Sequence, residues 1–320
     1  MEEVVEEATD LQEVRVALKP RCNLLASVKE FRTNQTIGSV ELDIHKNWLK
    51  EAVDEEVYAL FDALGKSPSL RKLQIMSKGS ANQSLPVTYL TQCLNSASEL
   101  HELMLLHVKW KGDANDFDDL AATMGEHPSL RSWTLHVESM DAFESSIAAA
   151  GHIPTLQQME IQTAQTASDK AGLTMALQSL CTSKSLLSLR LLHVTTKFEI
   201  LSPMARLLSA NDTLRELYIA ANELDLNGGM AMAQMLTANG GLHKFVLKLD
   251  KMHSEKLGEE FIQALDMNEC LQYFQIILDG RMSDMKVVRS MQIQFRDMLK
   301  PKYKVSSQVG LSMGVICERA

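Results

Sequence analysis

Three histidines come closest to a constellation that could do chemistry. His107 and His193 stand at the same place in two segments of similar pattern, seven residues after a leucine, and His136 stands one place earlier in a third. Imidazoles on neighbouring strands could hold a metal ion. His107 and His193, however, belong to segments three apart, and at about 5 Å per strand they cannot share one ion. They read as solvated or hydrogen-bonded histidines, and no metal site is expected. The five cysteines, Cys22, Cys93, Cys181, Cys270 and Cys317, form no C-x-x-C pair and leave one over, unlike a zinc site or a disulfide framework. Of the 18 methionines several fall on helix faces, as at Met204, Met232 and Met235, and their spacing fits core filling better than a ligand set. The chain has no phosphate loop, no G-x-G-x-x-G after a strand, no nucleophile elbow and no H-E-x-x-H. It reads as non-enzymatic, without a cofactor.

Composition narrows the partners. Of 320 residues, 45% are hydrophobic and 23% charged, an ordinary globular balance with ample apolar surface to bury. The net charge of −9 argues against nucleic acid or an anionic membrane surface and mildly favours basic partners. The first ten residues, MEEVVEEATD, are acidic where a leader would be basic, and no apolar run reaches a membrane span. A soluble protein of the cytoplasm or nucleus is expected, and the N-x-S/T matches at Asn34, Asn82 and Asn211 are read as chance.

The elements that would position any site follow from a recurring apolar triplet, Leu-x-x-Leu-x-Leu with substitutions. It begins at Leu11, Ile37, Leu70, Leu100, Leu130, Leu156, Leu186, Leu214, Leu242 and Leu271, at spacings of 26 to 33 residues. Alternation within the triplet predicts a short strand with one face in a core. Six residues before each anchor after the first stands an apolar residue, from Phe31 through Ala150 to Leu265. Another position three residues earlier is also mostly apolar, so one face of a helix is buried before each strand. Asn34, Asn211, Asn239 and Asn268 fall three before their anchors, where an amide in the left-handed conformation would end the helix.

Repeats of this length, alternating strand and helix, resemble the ribonuclease-inhibitor-like class of leucine-rich repeat. Leu214-Arg-Glu-Leu-Tyr-Ile-Ala-Ala-Asn222, continuing into Met232-Ala233-Gln-Met-Leu236-Thr-Ala-Asn239, lies close to that consensus, and the resemblance covers about residues 11–299. It implies an α/β solenoid of about ten repeats in a curved horseshoe, with a parallel sheet on the concave face and helices on the convex face. Only Asn222 keeps the family's amide eight residues after the anchor, so less regular turns are expected. Ala150 marks the weakest repeat, a candidate soft point. Residues 1–10 read as an acidic N-terminal lead or cap, and residues 283–299 as a final helix. Residues 300–320 read as a tail or cap, because Leu299-Lys-Pro-Lys-Tyr lacks the triplet.

The outward strand positions, two, four and six after each anchor, nominate two binding patches. One centres on Met76, Met104, Leu106 and His136. The other holds Tyr218, Val246, Tyr273 and Ile277, with Arg190, Lys244 and Lys248 around them. Exposed aromatic and aliphatic side chains with charged neighbours have the make-up of interaction hot spots. The leading expectation is a protein-interaction module that takes a protein partner on the concave face, an acidic partner with an apolar anchor at the second patch. The resemblance also admits a GTPase activator of the Ran type, whose strongly acidic C-terminal stretch is replaced here by Lys300, Lys302, Lys304 and Arg319. A third reading is the substrate-receptor part of a ubiquitin ligase, for which the first ten residues are too short to supply an adaptor-binding box.

Overall fold

The computed structural model describes residues 13–19, 22, 24–45, 48, 53–78, 84–137, 141–163, 170–193, 198–252, 255–278, 293–299, 302–308 and 313–319. The acidic lead, Leu11, Asn82 and the first part of the final helix fall outside them, as does the side chain of Asn222. The chain divides into two compact units, residues 1–137 and 138–320.

In the first unit, β1 (Glu13–Leu18), β2 (Ser39–His45), β3 (Lys72–Lys78), β5 (Glu102–Leu106) and β7 (Ser132–Val137) form a sheet in that order. Every pair in it is parallel. The register follows the anchors without a slip: Val40 pairs with Leu73, Leu73 with Leu103 and Leu103 with Trp133. Between the strands run α1 (Leu24–Thr33), α2 (Asp54–Gly65), α3 (Val87–Ser96) and α4 (Ala114–Gly125), each packed on the next. Two residues each of β4 (Leu85–Pro86) and β6 (Trp110–Lys111) make a small parallel pair apart from the main sheet. Helix α4 starts at a capping box, with Asp113 accepting from the Asp116 N–H and Asp116 accepting from the Asp113 N–H.

The second unit repeats the scheme. Its parallel strands are β8 (Gln158–Thr163), β9 (Ser188–Leu192), β10 (Glu216–Leu224), β11 (Lys244–Met252) and β12 (Tyr273–Leu278). Helices α5 (Glu144–Ala150), α6 (Lys170–Thr182), α7 (Phe198–Ser209), α8 (Leu226–Ala238) and α9 (Glu255–Met267) pack in sequence. After β12 the order changes. β14 (Met313–Arg319) lies antiparallel against β12, and β13 (Tyr303–Gln308) lies antiparallel outside β14. A strand without the triplet can join only by another rule: Val315 and Cys317 point into the core while Ile316 and Glu318 do not.

Burial accounts for the pattern. Every described triplet residue is buried except Val14 and Val16, which lie half-buried on the edge strand β1. All nine helix positions six before an anchor are buried. Ala150 is among them. Ser179 Oγ donates to the Ala148 carbonyl at 2.6 Å, and a Cβ on Gly151 would stand 2.6 Å from the Ser179 backbone, so small residues let α5 and α6 approach closely. Phe245, Phe261, Phe274 and Phe295 continue the core, with Phe274 stacked on Phe295 at 6.0 Å. Tyr303 closes it, donating its hydroxyl proton to the Leu271 carbonyl at 3.1 Å.

The asparagines before the anchors do something other than the turn geometry expected of them. Asn239, at φ −77°, is extended, and among the described residues the non-glycine residues with positive φ are His107 and His193. Asn211, Asn239 and Asn268 are buried and repeat one pattern. Each Oδ1 accepts from the N–H groups two and three residues on, and each Nδ2 donates to two carbonyls of the preceding repeat. For Asn239 these carbonyls are Leu208 and Asn211; for Asn268 they are Leu236 and Asn239, whose distance is 2.9 Å. The amides form a ladder from repeat to repeat, satisfying backbone groups at each helix-to-strand turn. Burial also removes Asn211 from use as a glycosylation acceptor.

Candidate functional site

Alternation along β8 to β12 turns the core residues toward the helices and leaves the residues two, four and six after each anchor on the open face of the second unit's sheet. Zero slip then sets them in rows. Tyr218 pairs with Arg190 on one side and Val246 on the other, and Val246 pairs with Gln275. In the neighbouring rows Glu216 pairs with Lys244 and Lys244 with Tyr273, while Ala220 pairs with Lys248 and Lys248 with Ile277. The second patch read from the sequence is therefore contiguous. It surrounds a shallow cavity of about 240 Å³ whose lining includes Arg190, Tyr218, Lys244, Val246, Tyr273 and Ile277.

Its side chains are ordered by contact with one another. The Arg190 guanidinium lies 5.0 Å from the centre of the Tyr218 ring, and the Lys244 ammonium 5.6 Å from that of Tyr273. Such contacts are worth roughly 0.5–1 kcal/mol at exposed sites. The Tyr273 hydroxyl donates to Gln275 Oε1 at 2.8 Å. Burial, and then the nearby Glu318 carboxylate, push the Tyr273 phenol above its ordinary pKa, so it stays protonated as a donor. Both cations have a carboxylate neighbour: Arg190 Nε meets Glu160 at 3.1 Å, and Lys244 meets Glu216 at 4.0 Å. With partners this exposed, the pairs hold their cations only weakly against a competing anion.

Val246 departs from the exposed position expected of it. It is only 4% exposed, set between Tyr218 and Gln275 on the strands either side. Ala220, between Leu192 and Lys248, is 5% exposed. Val246 is a floor, with Tyr218, Tyr273 and Ile277, all half-buried, as walls. The sequence reading missed one wall. Ile316 pairs with Gln275 and Glu318 with Tyr273, so the C-terminal strand extends the open face beyond β12. The alternation in Val315-Ile-Cys-Glu318 was the available signal, hidden because the segment lacks the repeat's spacing.

In the first unit, Met76, Leu106 and His136 pair across three successive strands, and Met104 sits one row away between Gln74 and Thr134. All four are half-buried. The His107 ring lies 5.5 Å from that of His136, and the His107 N–H donates to the His136 carbonyl at 2.9 Å. His193 takes the same backbone conformation, φ 58°, and donates its N–H to the Ala220 carbonyl at 2.7 Å. These bonds stabilise a conformation that non-glycine residues seldom adopt. Nearby charges are paired within the unit, Arg15 with Glu41 and Asp43, and Lys72 with Glu102.

Of the five cysteines, Cys22 and Cys270 are half-buried and Cys93, Cys181 and Cys317 are enclosed. Cys93 and Cys181 are buried with thiols pushed up to about 12, which keeps them protonated and unreactive. No group of three or more His, Cys, Asp or Glu suited to a metal ion occurs among the described residues. None of the described helices is long and apolar enough to cross a membrane.

The buried triplet on every described parallel strand except the edge strand β1, in register within each unit and followed by a helix, decides the architecture. The fold is that of leucine-rich repeats, in their strand-and-helix form. No family model matches the sequence. No curated protein matches it. Among solved structures, the leucine-rich repeat-containing protein LegL7 from Legionella pneumophila is similar at 17% identity, over 87% of this chain and 97% of that one, with a TM-score of 0.38. The tropomodulin C-terminal domain from Caenorhabditis elegans is similar at 10% identity, over 68% of this chain and 93% of that one, with a TM-score of 0.29.

Proposed function

We propose that this chain is a non-enzymatic interaction module that docks a partner protein on the open sheet face of its second unit. The observation that carries the reading is the buried floor at Val246 walled by two tyrosines, each held by a cation. A rigid concavity with aromatic walls suits one apolar side chain of a partner, since most binding energy at protein interfaces comes from such desolvated anchors. Acidic residues beside that anchor would compete with Glu160 and Glu216 for Arg190 and Lys244, raising the rate of encounter more than the affinity. The Met76, Met104, Leu106 and His136 patch is a second, smaller candidate of the same kind.

Affinity capture from native lysate with the parent and with the Tyr218→Ala, Tyr273→Ala double variant, read by mass spectrometry, tests the proposal. A protein retained by the parent and lost with the variant is the expected result. In titrations with that protein each single tyrosine variant should weaken binding by about 1–3 kcal/mol at unchanged folding stability, while Lys248→Ala should act mainly on a salt-sensitive association rate. A captured protein that binds both forms equally places the interaction elsewhere on the chain.

A further inference from the structure

The docking face has a direction, and its far end is supplied by the C-terminal strand. From β9 to β14 the open face passes from Arg190, across Tyr218 and the floor at Val246, past Gln275 and Tyr273, to Ile316 and Glu318. Ile316 is half-buried and adds an apolar side chain to the strip, while Glu318 is exposed. The cations Arg190, Lys244 and Lys248 lie on β9 and β11; across Tyr273 from Lys244 stands the carboxylate of Glu318. Glu160 engages Arg190 at Nε, leaving the guanidinium's other N–H donors for a second acceptor. Among the described residues Glu318 has no ion pair. Lys304 stands opposite it on β13, on its outer side, so a further cation would approach Glu318 from the Tyr273 side.

Resting on the docking reading above, we propose that the hairpin strand β14 completes the site and gives it a charge polarity. The occupant is a protein segment crossing the strands, with a carboxylate over Arg190, an apolar side chain over Val246 and a cation over Glu318. The distances set the spacing. Arg190 to Val246 spans two strand intervals, about 10 Å, and Val246 to Glu318, which lies one row over, spans two intervals and two residues along the strand, about 12 Å. A polyproline-type extended segment, with three residues per turn at about 3.1 Å each, returns to the same side every 9 Å or so. An acidic residue, an apolar residue three later and a basic residue three later again, its long side chain covering the remaining few ångströms of the diagonal to Glu318, would meet the three stations on one face.

A displayed library of random twelve-residue peptides, panned on the full chain and on its Glu318→Lys, Arg190→Glu and Tyr218→Ala variants, tests this. The parent should enrich acidic-apolar-basic sequences at least tenfold over the starting pool, and Tyr218→Ala should abolish the enrichment. Glu318→Lys should exchange the basic position for an acidic one, and Arg190→Glu should exchange the acidic position for a basic one, with the apolar centre retained. Peptides that depend on Tyr218 yet keep the same flanking residues in the Glu318→Lys selection overturn the polarity and leave the docking face standing. If nothing enriched depends on Tyr218, the docking face and the polarity fall together.

Discussion

Asn239 shows how much one side chain can carry in a repeat protein. Its amide answers four backbone groups, the N–H groups of Gly241 and Leu242 and the carbonyls of Leu208 and Asn211, at a site 4% exposed. Asn239→Ala leaves all four without a partner in a buried turn, and equilibrium urea unfolding should register a loss of about 3 kcal/mol. The same change at Asn34, whose side chain bonds only to Thr36 and Glu30 in its own turn, should cost under about 1 kcal/mol. His127 occupies the equivalent place in the first unit, 2% exposed, its Nδ1 accepting from the Ser129 N–H at 3.4 Å and the Ala97 carbonyl beside the ring. Burial, with a smaller contribution from His101, lowers its pKa below the ordinary 6.5. The unfolded chain therefore binds the proton more readily than the native one. Stability is complete above about pH 6.5 and falls as the pH drops below it toward the folded value. Urea midpoints between pH 8 and pH 5 should show this slope, reduced in His127→Asn; an identical slope in both would assign it to other groups.

Helix packing operates at the next scale, where closeness between neighbours leaves no room for an added methyl. Gly151 at the end of α5 has φ −61°, which any residue can adopt, so its reason for being glycine is contact and not conformation. Its absent Cβ would meet the Ser179 carbonyl carbon and oxygen at 2.6 Å, atoms that cannot turn away. At Gly229 the obstruction is the end of the Leu257 side chain at 2.3 Å, which can change rotamer. Alanine ordinarily gains about 0.5–1 kcal/mol over glycine within a helix. Gly151→Ala should nonetheless destabilise the protein by about 2 kcal/mol, and more than Gly229→Ala, as thermal denaturation would show. On the strand side, Leu217 is fully buried, and Leu217→Ala should cost about 2–5 kcal/mol. A loss below about 1 kcal/mol would mean that neighbouring side chains refill the space.

The second unit as a whole needs its end covered. A parallel strand at the end of an array presents one open edge and the flank of its core. Here β14 takes the edge of β12, while Phe295, Tyr303, Val315 and Cys317 cover the core beside Phe274. Lys302 adds bonds to the Asp266 carbonyl and carboxylate at the end of α9. A chain ending at Leu299 should unfold at lower urea and bind a hydrophobic dye at the newly exposed Phe274 and Leu271. Because β14 also brings Ile316 and Glu318 to the open face, that truncation should impair partner binding together with stability, whereas Glu318→Lys should change binding alone.

What the sequence determined by itself is whatever a side chain's own water-avoidance encodes at short range. The triplet residues announced strands, the apolar positions six before each anchor announced helices, and the recurrence of the triplet, at spacings that vary from 26 to 33 residues, matched strand to strand anchor by anchor. Even the Tyr218, Tyr273 and Lys244 patch followed, since alternation and register are enough to place residues on one face. Tertiary structure decided the rest, because those outcomes depend on groups about 28 residues away or outside the repeat. Asn211, Asn239 and Asn268 were legible as helix ends, but their partners are carbonyls of the preceding repeat, reachable only once the turns are stacked. Val246 is as apolar as an exposed strand residue can be. It sits buried between Tyr218 and Gln275 on the strands either side, neighbours that no local pattern states. Ile316 and Glu318 joined the site through antiparallel pairing of a segment without the triplet, where backbone hydrogen bonding to an open edge, and not periodicity, chose the neighbour.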